Sequence, residues 1–121
     1  MIYLTKEDLL ALGEEILPSV ILRDAGQLHA AILRPQTTVF GDDAYPGVWD
    51  KAAALMQSVV IGHPLLDGNK RLGWAAAVVF LALNGHELAY VDVDVAEALV
   101  ISVATGELDD ISELAKRLQE L

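Results

Sequence analysis

Cysteine is absent from the chain, which excludes disulfides and thiolate metal sites and fits a reducing compartment. Basic residues are scarce: 8 Lys and Arg stand against 18 Asp and Glu, for a formal net charge of −10. That balance argues against nucleic acid as a direct partner, because neutralising phosphates takes a basic surface. It leaves room for a small local basic site that receives a nucleotide. Long hydrophobic runs are also missing. The longest uncharged apolar stretch, Leu72 to Leu83, falls short of the roughly 20 residues that span a bilayer, so no membrane segment is expected. The opening MIYLTKEDLL has no basic flank followed by an apolar run, so no signal peptide is expected and the cytoplasm is the expected location. No internal repeat, low-complexity segment or linker stands out.

What is present is a dense apolar chain. Hydrophobic residues make up 54% of 121 positions, enough for one compact domain over residues 1–121 with a core that needs no staple. The surplus of apolar residues predicts a helical core with one exposed groove for a partner. Thr5 reads as a helix N-cap, with Glu7 and Asp8 in the first turn and Pro18 as the stop. Leu28, Ala31 and Ile32 predict the inner face of a short helix after Asp24 and Gly26. Trp49, Ala52, Ala53, Met56, Val59 and Val60 recur at three- and four-residue steps, a helix opened near Pro46 and closed by Gly62. Leu72 to Leu83, apolar nearly all round, predicts a central helix buried on most sides and ended by Asn84-Gly85. His86 to Val91 reads as a short extended connector. Asp94 is expected to cap a helix running to Thr105, and Asp110 with Glu113 to open the last one in the manner of a capping box. The sum is all-α, about six helices by this periodicity.

One segment breaks the pattern. RPQTTVFGDDAYP, from Arg34 to Pro46, reads as a long loop with a brief extended piece at Thr-Thr-Val-Phe. Loops of this length in small domains are often functional.

The densest chemistry is HPLLDGNKR, residues 63–71, between two apolar helices. Asn69 reads as the N-cap of the second, and Gly68 lets the backbone turn and a ligand approach. Lys70 and Arg71 fall in the first turn, where the helix dipole disfavours cations. An anion bound there resolves the conflict, since free N–H groups, the dipole and both side chains converge on it. His63 is then placed to take a proton from a hydroxyl nucleophile. Asp67 is a hard oxygen ligand suited to Mg²⁺, and the Asn69 amide a phosphate contact. The set describes phosphoryl or nucleotidyl transfer.

HPLLDGNKR resembles the signature of the death-on-curing (Doc) toxins of the Fic fold, His-x-Phe-x-Asp-Gly/Ala-Asn-Lys-Arg. RPQTTVFGDDAYP, LALNG at 81–85 and ATGELD at 104–109 extend the likeness along most of the chain. The resemblance implies a compact Fic/Doc-type helical bundle with a short extended flap, and a toxin of a toxin–antitoxin pair. Most Fic proteins have glycine where this chain has Lys70 and transfer AMP from ATP to a protein hydroxyl. Doc toxins carry lysine there and pass the γ-phosphate to a threonine of elongation factor Tu, stopping translation. By motif position His63 is the general base, Asp67 the Mg²⁺ ligand, and Gly68, Asn69, Lys70 and Arg71 the phosphate contacts, with His63, Asp67, Lys70 and Arg71 as the catalytic set. Thr37, Thr38, Val39 and Phe40 correspond to the flap that pairs with the target segment. ATP and Mg²⁺ are the expected cofactors. An antitoxin helix in an apolar groove near the motif is the expected partner of a chain that is monomeric when free.

Leu65 departs from the family, standing where phenylalanine is usual, and Leu72 and Gly73 after the motif replace the more usual Thr-Ala. A smaller anchor loosens the loop that carries His63, which motivates an alternative, a catalytically weak module that only binds its antitoxin. AMP transfer is the other alternative. His29, His86, Asp42, Asp43, Asp92, Asp94, Trp49 and Trp74 are read as surface, capping, loop or packing residues. Arg34 is the best additional candidate for a substrate contact.

Overall fold

The computed structural model describes residues 1–88 and 90–121. Six α-helices carry the chain: α1 (Lys6–Ile16), α2 (Ala25–Leu33), α3 (Val48–Gly62), α4 (Asn69–Leu83), α5 (Val93–Ala104) and α6 (Ile111–Gln119). A 3₁₀ turn (Arg34–Gln36) leads from α2 into a hairpin of two short strands, β1 (Thr38–Val39) and β2 (Asp42–Asp43), paired antiparallel. The brief extended piece expected in the long loop is this hairpin. No helix among the described residues is long and apolar enough to cross a membrane.

Helix starts follow the caps. Thr5 and Asp8 form a reciprocal capping box on α1, and Asp24 accepts from Gln27 N–H at the head of α2. Two expectations change. Asp92, not Asp94, caps α5, its carboxylate accepting from the N–H groups of Asp94 and Val95. Asp110 caps α6 alone, because Glu113 turns outward to Arg117 at 3.3 Å. Of the expected connector 86–91, His86 to Leu88 are in neither helix nor strand, and Ala89 lies outside the described residues.

The hub is α3 rather than α4. It packs against α2, α4, α5 and α6, and Lys51 to Met56 are buried without interruption. On α4, Leu72, Gly73, Ala76, Ala77, Phe80 and Leu81 face the core, whereas Trp74 and Val78 are half-buried. That outer face lines an open groove of about 740 Å³ shared with Ala96, Val100 and Ile101 of α5. Apolar character all round thus marks a helix with one face in the core and the other in a groove. Hydrophobicity alone does not separate a face covered by the chain from one left for a partner.

The two longest helices meet closely at Gly73. A Cβ there would lie 2.5 Å from Val60 Cγ2 and 3.3 Å from the carbonyl oxygen of Met56. Glycine is needed at this crossing for lack of space. Gly73→Ala is expected to overpack the contact and cost about 1–3 kcal/mol. Urea unfolding checks it: the midpoint should fall while the slope stays constant.

Candidate functional site

Residues 63–68 connect the end of α3 to the start of α4. His63 is the C-cap of α3 and adopts the left-handed conformation, φ 52° and ψ 58°. Glycine is the usual residue in that state, and a side-chain-bearing residue there costs roughly 1–2 kcal/mol. Surrounding bonds hold the loop against that cost. Pro64 O accepts from the N–H groups of Arg23 (2.8 Å) and Asp24 (3.0 Å), and Leu66 N–H donates to Ile21 O at 2.8 Å. Leu22 and Leu65 form an antiparallel bridge. The connector between α1 and α2 therefore backs the motif like a third strand.

Asn69 closes the loop. Its Oδ1 accepts from Leu65 N–H at 2.9 Å and its Nδ2 donates to Leu65 O at 2.9 Å. The side chain is almost fully buried. This corrects two expectations. Asn69 is the first residue of α4 and Gly68 is its N-cap. The Asn69 amide is taken up by Leu65 rather than aimed at a phosphate, which leaves only its backbone N–H available at this position. Leu65 is 1% exposed; with its backbone clamped, the shorter side chain still seats in the core.

Gly68 has φ +90°, and a Cβ there would meet Leu17 Cδ1 at 2.7 Å. No side chain caps α4. The first intrahelical bond is Leu72 N–H to Gly68 O at 2.9 Å. Among the described residues the N–H groups of Asn69, Lys70 and Arg71 accordingly have no acceptor. The Lys70 and Arg71 side chains are exposed and, among the described residues, in no ion pair. Two unpaired cations beside three free N–H groups make a concentrated positive site in an acidic protein. His63 and Asp67, in the loop that leads to this helix start, are both exposed. One Asp67 oxygen accepts from Gly68 N–H at 2.9 Å and the other is uncommitted. No group of three metal-ligating side chains exists among the described residues. The uncommitted Asp67 oxygen is a hard donor of the kind that Mg²⁺ takes together with substrate phosphates and water.

In the hairpin, Thr38 pairs with Asp43 and Val39 with Asp42. Phe40 and Gly41 make the turn with φ of 51° and 85°, the paired positive values of a type I′ hairpin loop. Phe40 is 103% exposed at the tip. Thr37, at the root, lines a cleft of about 430 Å³ that ends at Gly62, next to His63.

Sequence reasoning missed what holds the hairpin. Lys51, on α3, is buried, and its Nζ donates to Pro35 O (3.0 Å) and to Asp43 Oδ2 (3.3 Å). Arg34 is a tether rather than a free substrate contact. Its Nε donates to Tyr45 Oη at 3.1 Å and its Nη1 to Gln57 Oε1 at 2.6 Å and Ser58 Oγ at 3.2 Å. Asp43, read as solvated loop, is the partner of Lys51. Arg23, whose guanidinium reaches the carbonyls of Gly62 and His63, was also missed. A cation inside the run KAAALM is the one signal that pointed to Lys51, since a lysine on an inner helical face must find a partner. His86 packs edge-on to Trp49 at 5.4 Å and His29 is exposed on α2, away from the motif in both sequence and role.

Residues 3–81 match the model of the Fic/DOC family. The protein described as "Toxin Doc" of Mycolicibacterium smegmatis (strain ATCC 700084 / mc(2)155) is 53% identical over 109 residues, which cover 88% of this chain and 84% of that protein.

Removing the Asn69 side chain leaves both backbone groups of buried Leu65 without a partner. Asn69→Ala is expected to cost about 1–3 kcal/mol. Amide exchange at Leu65 should accelerate sharply, and protection kept at wild-type level would show that the loop does not depend on this clamp.

Proposed function

The chain belongs to the Fic/DOC family, and on that premise we propose that it is the toxin of a toxin–antitoxin pair, a kinase that uses ATP to phosphorylate a threonine of elongation factor Tu and so arrests translation in the cytoplasm. The observation that carries the reading is the bare, doubly cationic start of α4, joined by a short clamped loop to an exposed imidazole at the end of α3. ATP's phosphate tail suits that end. The N–H groups of Asn69, Lys70 and Arg71 and the cations of Lys70 and Arg71 face one direction of charge. His63 takes the proton from the threonine hydroxyl as its oxygen bonds to the γ-phosphorus. The bond from that phosphorus to the β–γ bridging oxygen breaks, and ADP leaves. Asp67 would hold Mg²⁺, which supplies neutralisation of phosphate charge when bound.

Lys70 favours phosphoryl over AMP transfer. Its side chain adds charge and bulk where glycine would leave open space for backbone-bound phosphates. The hairpin suits the protein substrate. In a two-stranded sheet β1 keeps one free edge, and Thr37, Thr38, Val39 and Phe40 offer that edge and an exposed tip to an extended segment by strand addition. The antitoxin is assigned to the groove between α4 and α5. Trp74, Val78, Val100 and Ile101 give it an apolar floor, and Lys70 and Arg71 stand at one end. An amphipathic helix of the antitoxin lying there borders the phosphate site.

Two measurements test the reading. With ATP labelled at the γ-phosphate, label is expected on elongation factor Tu, and His63→Ala should slow transfer about 10²–10⁴-fold; transfer from α-labelled ATP would instead establish AMP transfer. Ile101→Asp places a charge in the groove and should weaken antitoxin binding by about tenfold or more in titration calorimetry, the scale of a buried unpaired charge. Undiminished affinity would remove the groove from the proposal.

A further inference from the structure

The strained histidine has a dedicated support that comes from a distant part of the chain. Arg23 lies in the connector before α2. Its Nε donates to the carbonyl oxygen of His63 at 2.6 Å and its Nη2 to that of Gly62 at 2.9 Å. The two carbonyls belong to the peptides on either side of the His63 Cα, where the left-handed turn is made. A planar fork that satisfies two neighbouring acceptors fixes their relative orientation, which a point charge does not. The backbone N–H of the same residue donates to Pro64 O at 2.8 Å. Arg23 therefore binds three consecutive carbonyls, of residues 62, 63 and 64.

The contact also answers an electrostatic need. The last carbonyls of α3 carry the negative end of its dipole, and α3 has no basic residue in its last turn. The guanidinium is about half-exposed, with Asp24 at 4.0 Å as its nearest carboxylate. Among the described residues it makes no hydrogen bond to the start of α4. The grip is thus on the imidazole's backbone and not on the phosphate cradle.

We propose that Arg23 is a positioning residue for His63: it holds the left-handed backbone at residue 63 and so sets where the imidazole stands. The assignment rests on the reading of His63 as the general base. Its consequence is a split in kinetics. A displaced base slows the chemical step, while nucleotide binding at α4 is untouched.

Arg23→Ala and Arg23→Lys are the variants, the second retaining a cation at the helix end if the first folds poorly. NMR of the full chain reads the His63 Cα, Cβ and ring signals, and steady-state assays read kcat and the KM for ATP. Arg23→Ala is expected to move the His63 signals and lower kcat about 10²-fold with the KM for ATP within about twofold, as for a misplaced catalytic group. Arg23→Lys should recover part of the loss. His63 signals at their wild-type positions in both variants overturn the proposal. So does a kcat that stays at the wild-type value, or a loss confined to the KM for ATP. His63→Ala at wild-type turnover would overturn the general-base reading instead, and the His63 signals in Arg23→Ala would still decide whether the grip exists.

Discussion

The pair of hydrogen bonds between the Asn69 side chain and the backbone of Leu65 is the interaction on which the site depends. It folds the six-residue connection back on itself between the end of α3 and the start of α4. The clamp is buried, so it acts where competition from water is weak and an unmade bond is costly.

Around the clamp, the molecule divides support from chemistry. Leu65, Gly68, Asn69 and Gly73 deal with space and backbone: one seats in the core, two allow close approach, one locks the loop. His63, Asp67, Lys70 and Arg71 stay exposed. Leaving two cations unpaired in a protein of net charge −10 concentrates positive potential at a single helix end, and there it adds to the helix dipole. The hairpin follows the same division. Lys51 and Arg34 spend their donors on its root, which frees Thr38, Val39 and Phe40 to stand out from the body.

Much of the architecture was legible along the chain. Helical spacing of Leu28, Ala31, Met56 and Val59 marked inner faces that are buried. Glycine and proline marked most ends. Errors fell where two short polar residues compete for one cap, as with Asp92 and Asp94 or Gly68 and Asn69. There the choice is made by which backbone turns out of the helix, and composition does not encode it. The hub was misplaced for a related reason: α3 carries Asp50 and Lys51 where the run Leu72 to Leu83 is uncharged, yet that lysine finds two oxygens inside the fold.

The sequence by itself determined the all-helical class, the brief extended piece in the long loop and the identity of the polar string between two apolar helices, because periodicity and spacing are local properties. Only the tertiary structure decided what each polar group does. Arg23, Arg34, Lys51 and Asn69 act on partners supplied by other elements or by the loop folding back. Whether such a donor meets a carbonyl or water is set by chain segments that meet only on folding.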